Sequence, residues 1–267
     1  MAETQRLDDL VQAVQAGPRY RQIDPGLVRR IGAQELAKGR SFKDAVKETR
    51  NKLHQVGGAY QETTPDYTRL ALELDGLDNS PEALQAFCRR ALGAHASTRE
   101  RLPYLEAFYA PLRERLGPVR SLMDLACGLN PLALPWLPLA ADGELWAYDI
   151  YADMAVFLNR FFTQVGCHGS AAVCDLTAGV PQRPVQLALL LKTLPCLEQI
   201  DKSIGPRLLD EIQAEHVLVS FPALSLGGRG KGMVQNYSAH FEKLTAGRGW
   251  RVEQWSVPTE IVFLVTK

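Results

Sequence analysis

The sequence predicts an α/β protein, a mostly parallel, doubly wound sheet with an antiparallel last strand, preceded by an all-helical N-terminal region. Three observations carry this. Up to about residue 95 the chain reads as helices only. From about residue 118 the rhythm changes to short apolar runs separated by helix-length stretches. The last two apolar runs are then separated by only Pro258 and Thr259, which is hairpin spacing and leaves no room for a crossover helix.

Taken in order, DPGLVRRIGAQELAKG opens with an Asp-Pro start and closes on Gly39, and SFKDAVKETRNKLHQVGG opens with a Ser cap and stops at Gly-Gly. In the second helix Phe42, Val46, Leu53 and Val56 fall near helical spacing and predict the packed stripe, leaving Lys43, Lys47, Arg50 and Lys52 on other faces. Ten Lys/Arg against four acids lie between Arg19 and His54, and six acids against one Arg between Tyr60 and Leu84. Taken alone, such a run is a solvated helix face; several cations converging on one surface would instead make a footprint for an RNA backbone.

The strands follow. VRSLMDLA, ELWAYDI, SAAVCDL, VQLALLL and EHVLVSFP have strand length with β-branched or aromatic content, and segments such as YADMAVFLNRFFTQVG supply crossover helices. WRVEQWSV and EIVFLVTK close the sheet as a hairpin. The division of rhythm predicts a helical domain over residues 1–95 and an α/β domain over 96–267.

Bulk properties exclude several classes. The 267 residues are 46% apolar, enough for a substantial core, and 30 basic residues balance 30 acidic ones, so any basic face must come from local clustering. The start lacks the pattern of a secretory signal and no apolar run reaches 18 residues, so a cytoplasmic protein without a membrane span is expected. Five cysteines without a CxxC pair argue against a disulfide framework or a metal site.

The first strand runs into DLACGLNP. In an open α/β sheet the ligand sits beyond the carboxyl ends of the strands, and Gly128 at that turn permits a close approach to the backbone. GxGxxG is absent, which weakens a dinucleotide reading. The second strand ends in Asp149, 21 residues after Gly128, where a carboxylate grips a ribose diol, and the third ends in Asp175, a candidate acceptor for an adenine amino group. Either aspartate alone is an ordinary cap or turn residue. Carboxylates at successive strand ends, with a terminal hairpin, are the pattern of Rossmann-like methyltransferases that use S-adenosyl-L-methionine (SAM). The Asn/Asp-Pro-Pro-aromatic motif of amine methylation is missing from LLKTLPCLE. Cys196 after Pro195 would serve as a nucleophile only if exposed and activated. SLGGRGKG is no phosphate-binding loop of the Walker type and instead suggests a flap near the methyl acceptor.

HASTRER, DLACGLNPLAL, LLKTLPCLE and SFPALSLGGRGKGM together resemble the aminoglycoside-resistance 16S rRNA (guanine(1405)-N(7))-methyltransferases over nearly the whole chain. The resemblance implies that Arg101 grips the methionine carboxylate of SAM, that Asp149 and Asp175 hold the adenosine, and that Lys192 follows the fourth strand, with Ala126 and Leu176 completing the cofactor set. It places Glu198, Arg229, Lys231, Met233 and Glu260 toward the target, Glu260, Arg229 and Glu198 with catalytic roles. Lys43, Lys47, Arg50 and Lys52 become candidate contacts to 16S rRNA within the 30S subunit, approached by a monomer. Guanine N7 has a free lone pair and no proton to lose, so the implied chemistry needs positioning and no general base. Glu260 or Glu198 would stabilise the charge gained by the purine. A methyltransferase for another RNA or a small molecule, and a non-catalytic SAM- or ribosome-binding protein, are the alternatives.

Overall fold

The computed structural model describes residues 2–57, 65–78, 80–223 and 232–267. Seven strands, β1 (Val119–Leu125), β2 (Leu139–Asp149), β3 (His168–Val173), β4 (Val185–Leu191), β5 (Ala214–Pro222), β6 (Arg251–Val257) and β7 (Glu260–Thr266), form one sheet in the order β3-β2-β1-β4-β5-β7-β6. All pairings from β3 across to β5 are parallel, and β7 runs antiparallel to both β5 and β6. The predicted strands and the two-residue hairpin turn are all present. β3 stops at Val173, so Asp175 lies two residues past the strand in the turn, not at its last position.

Alternation along each strand feeds two apolar layers. Leu122, Leu145, Leu187, Leu189 and Leu264 face one side, where α8 (Ala152–Gln164) contributes Met154, Leu158 and Phe161. Met123, Ala188, Leu190, Val219 and Phe263 face the other, beneath α10 (Ile204–Glu211) and α11 (Met233–Thr245). Between β4 and α10 lies the short α9 (Leu194–Leu197).

The N-terminal half is helical as expected. Helices α1 (Ala2–Gln15), α2 (Pro25–Ala37) and α3 (Phe42–Val56) pack together, while α4 (Tyr67–Asp75) lies on α8 through a Tyr67–Phe157 ring stack at 5.5 Å. Then come α5 (Pro81–Leu92), α6 (Ala96–Arg101) and α7 (Leu105–Leu116). The predicted caps form: Asp24 accepts from the Gly26 and Leu27 N–H groups with Pro25 in the first turn, and Ser41 accepts from Asp44 N–H. One apolar cluster runs from Leu10, Leu27 and Leu53 through Phe87 and Phe108 to Leu122 and Leu264, without a break at residue 95.

The packed face of α3 keeps Leu53, Val46 and Val56 of the predicted stripe but not Phe42. Ala45, Thr49 and Leu53 are buried, whereas Phe42 is 37% exposed. The small Ala45 and Thr49 at i and i+4 let α3 approach its neighbours closely, which a side chain the size of Phe42 would prevent. Helix α2 buries Glu35, whose carboxylate meets Lys38 at 2.7 Å, Arg40 at 2.8 Å and Lys52 at 2.7 Å. Burial opposes its ionisation, but the bonds from these three cations prevail and hold its pKa at about 2. That stabilisation is complete above the ordinary carboxylate range and is lost as pH falls toward about 2. Glu35→Gln is expected to cost about 1.5–3 kcal/mol in chemical unfolding at neutral pH, the range for a hydrogen bond to a charged group. The deficit should shrink in acid; equal stability of variant and wild type at pH 7 would contradict this.

Candidate active site

The carboxyl edge of the sheet is where ligands bind in such folds, especially beside the strands at which the order reverses, here β1 and β4. Just past each of those two strands stands a non-glycine residue with left-handed backbone, Ala126 (φ 52°) and Lys192 (φ 58°). Such geometry costs free energy and persists where its surroundings over-determine it. Here Cys127 N–H donates to Tyr148 O at 3.0 Å, and Lys192 N–H to Ser220 O at 2.9 Å.

A cavity with about 660 Å³ of open space lies over this edge, lined among others by Ala126, Gly128, Asp149, Asp175, Leu176 and Lys192. Six residues expected to hold a cofactor thus share one wall. Asp149 Oδ2 accepts from Gly128 N–H at 2.8 Å and Oδ1 from Ile150 N–H at 2.7 Å, which ties the ends of β1 and β2 together. Burial raises its pKa against those backbone bonds. Asp175 Oδ1 accepts from Thr177 N–H at 2.8 Å and from its hydroxyl at 2.6 Å, and the carboxylate pairs with Arg30 of α2.

At Gly128 the missing side chain also makes room for a neighbour. The glycine's φ is 51°, and a Cβ there would lie 3.1 Å from the His95 ring. The space that a side chain would take is filled by an imidazole rather than left open for a ligand. His95 itself lines the cavity, 3.0 Å from the Ser97 hydroxyl. Burial, then the charges of Lys192, Arg99 and Arg101, push its pKa down to about 4, so the ring is neutral at physiological pH.

Arg101 and Glu260 are not in the lining. Arg101 Nε and Nη2 donate to the two carboxylate oxygens of Glu260, both at 2.8 Å, and the residues are 1% and 0% exposed. Arg101 Nη1 donates to Asn130 Oδ1 at 2.8 Å, and its guanidinium stacks 4.3 Å from the Phe108 ring centre. Ser220 Oγ donates to Glu260 at 2.7 Å, and Lys192 Nζ stands 3.7 Å from it. Burial opposes ionisation of Glu260, yet the charges of Arg101 and Lys192 prevail and lower its pKa. Asn130 in turn donates to Asp124 at 2.8 Å, whose pKa burial raises to about 7. Glu260 therefore does not face a target base: a fully buried, fully paired carboxylate anchors Arg101 instead.

Glu198, at the end of α9, is likewise engaged, its carboxylate accepting from His240 Nε2 of α11 at 2.8 Å. It is not among the lining residues, although Leu197 is. Cys196 is buried, with its Sγ 3.7 Å from Lys192 O, and burial lifts its pKa to about 11. A thiol held protonated is no nucleophile. Met233 begins α11 and is partly exposed, while Arg229 and Lys231 lie outside the described residues.

The four candidate RNA-binding cations of α3 separate. Lys43 and Lys47 are exposed and border an open groove with Tyr20 and Phe42. Arg50, which also borders it, spends its guanidinium on the Ala13 and Val14 carbonyls and the Tyr20 ring, and Lys52 on Glu35. The far end of the same helix, Val56 and Gly57, forms part of the cavity wall. In the sequence both carry only structural signals, Val56 in the apolar stripe and Gly57 in the helix stop. His95 and Ser97 both stand in HASTRER, where only Arg101 drew a role.

The chain matches the family model described as ribosomal RNA methyltransferase (FmrO) over residues 16–265. It belongs to that family. A curated 16S rRNA (guanine(1405)-N(7))-methyltransferase of Micromonospora rosea is 38% identical over 98% of this chain and 97% of its own length. One of Serratia marcescens is 34% identical over 98% of each chain. Among solved structures, the 16S rRNA methyltransferase RmtF in complex with S-adenosyl-L-homocysteine superposes with a TM-score of 0.83 at 34% identity, covering 98% of each chain. The 16S rRNA methylase RmtB gives 0.82 at 30% identity, also over 98% of each.

Because Arg101 and Glu260 neutralise each other in a water-free site, removing one partner strands a buried charge, a loss of about 3–5 kcal/mol. Glu260→Gln should lower unfolding stability by that order whether or not cofactor is added; a wild-type denaturation midpoint would refute the anchoring role.

Proposed function

We propose that this protein transfers a methyl group from SAM to N7 of guanine 1405 of 16S rRNA in the assembled 30S subunit, in the cytoplasm and as a monomer, and so confers resistance to kanamycin- and gentamicin-type aminoglycosides. The observation that carries the reading is the cavity at the β1/β4 switch point. Two carboxylates, Asp149 and Asp175, stand on its wall in a chain of the ribosomal RNA methyltransferase family.

The residues present fit SAM. Asp149 would accept from the ribose hydroxyls, Asp175 from the adenine amino group, and Leu176 would pack on the base. Lys192 brings a positive charge into the wall for the methionine carboxylate, while Arg101, outside the lining, would act by holding that region in shape. The bound cofactor supplies an electrophilic sulfonium methyl.

The wall suits a nucleophile that needs no deprotonation. Among the lining residues, His95 is a weak base with its pKa near 4, Cys196 stays a thiol, and the cation Lys192 donates to Ser97 O and Glu100. Guanine N7 attacks with its own lone pair, so the site's contribution is alignment and exclusion of water. N7 lies on the edge of a stacked base, and the target would be flipped out to reach the cavity. Residues 1–95 serve as the docking domain and 96–267 as the methyltransferase domain, the exposed Lys43 and Lys47 meeting phosphates; Arg229, Lys231 and Met233 are assigned to the target side.

Expression in sensitive bacteria tests this directly. High resistance to kanamycin and gentamicin with streptomycin sensitivity retained is expected, and Asp149→Ala should abolish both the resistance and binding of S-adenosyl-L-homocysteine. Soluble expression without resistance would overturn it. In 30S-binding assays, Lys43→Ala/Lys47→Ala should weaken binding several-fold with unchanged melting temperature. Arg50→Ala and Lys52→Ala should lower that temperature as well, since both cations are spent on packing. Equal loss of cofactor binding in the Lys43/Lys47 variant would contradict a docking role.

A further inference from the structure

Asp175 is 7% exposed: Oδ1 accepts from the N–H and hydroxyl of Thr177, while buried Oδ2 has no hydrogen-bond partner and is compensated by its ion pair with Arg30. Arg30 is not on the sheet at all but on α2, between the buried Val28 and Ile31. The segment leading into that helix is fastened to the cavity wall itself. Asp24 N–H donates to Ile150 O at 2.8 Å, Ala152 N–H donates to Gln22 O at 2.8 Å, and Ile23 bridges Tyr151. Ile150 and Tyr151 both line the cavity directly after Asp149. The placement of both carboxylates of the wall thus depends on residues 22–30 of the helical region.

We infer that Arg30 is a cofactor-positioning residue supplied by the helical N-terminal region, holding the Asp175 carboxylate in the orientation in which it meets the adenine edge. The adenine edge offers an amino donor next to a ring-nitrogen acceptor. Asp175 lines the cavity and Arg30 does not, so Arg30 acts through the carboxylate, whose oxygen is the acceptor that the amino group requires. A carboxylate fixed from two sides loses little freedom when the base arrives, and this preorganisation appears as affinity. The Arg30 side chain is 36% exposed against 4% for Asp175, so solvent screens the pair from one side and its contribution to stability is modest. Its effect falls on the cofactor rather than on the fold. The helical region is then part of the cofactor site and more than a docking arm. This deepens the proposed function and rests on it.

Calorimetric titration with S-adenosyl-L-homocysteine separates the possibilities. Arg30→Ala should weaken binding about tenfold, with melting temperature and turnover at saturating SAM close to wild type, and Arg30→Lys should recover part of the affinity. Arg29→Ala, on the same helix but paired with Asp8 on the surface, should bind as wild type. The same titration with the hypoxanthine analogue, S-inosyl-L-homocysteine, should show the preference for adenine narrowed in Arg30→Ala; a merely structural loss would weaken both ligands alike. Unchanged affinity in Arg30→Ala overturns the inference, and tighter binding overturns it too, by showing that Arg30 competes with the base. If Asp175→Ala retains full affinity, the adenosine assignment of the cavity fails as well. Loss in Asp175→Ala with none in Arg30→Ala refutes only the role of Arg30.

Discussion

The buried ion pair between Arg101 and Glu260 is the constraint on which the carboxyl edge of the sheet depends. Taking two such charges out of water costs several kcal/mol each, and the cost is met only when geometry is good and the remaining donors and acceptors are occupied. Here both conditions hold: two bonds at 2.8 Å join the pair, with further bonds from Ser220 and to Asn130. Through them helix α6, the start of β7, the end of β5 and the turn after β1 are fastened to one another. The antiparallel last strand makes this possible. Because β7 enters where the parallel strands leave, its first residue, Glu260, pairs with Pro222 at the end of β5 and sits on the edge that carries the cavity.

On that foundation the backbone can hold unusual shapes. Left-handed residues of about 1–3 kcal/mol each follow β1 and β4, the two strands at the switch point. They turn the chain so that Gly128 N–H reaches Asp149 and Lys192 enters the cavity wall. The electrostatics agree with a site that aligns rather than ionises its reactants. The His95 ring is neutral, the Cys196 thiol is protonated, and Lys192 is bonded to Ser97 and Glu100.

Helix α3 links the open groove to the cavity. Fifteen residues long, it spans about 22 Å at 1.5 Å per residue, with Lys43 and Lys47 near one end and Val56 and Gly57 at the cavity. Its basic side chains are not equivalent, since Arg50 and Lys52 are consumed by carbonyl oxygens and by the buried Glu35. The positive surface open to phosphates is therefore smaller than the residue count suggests, and part of that count serves packing among α1, α2 and α3.

The sequence by itself determined the strands, their parallel run, the closing hairpin, the helix caps and the carboxylate 21 residues beyond Gly128. Each of these is written in local spacing: period two for a strand, an apolar stripe or a capping residue for a helix, a two-residue gap for a hairpin. Partner choice was left to the tertiary structure. Arg101 meets Glu260 across 159 positions and Glu198 meets His240 across 42. Arg30 crosses from the helical region to Asp175, and the His95 ring takes the space beside Gly128. Nothing in local spacing encodes these, because the partner of a buried charge is set by which elements close over it and exclude water. The same closure turned Phe42 outward and packed Ala45 and Thr49, since helix approach is limited by side-chain size at the contact rather than by hydrophobicity alone.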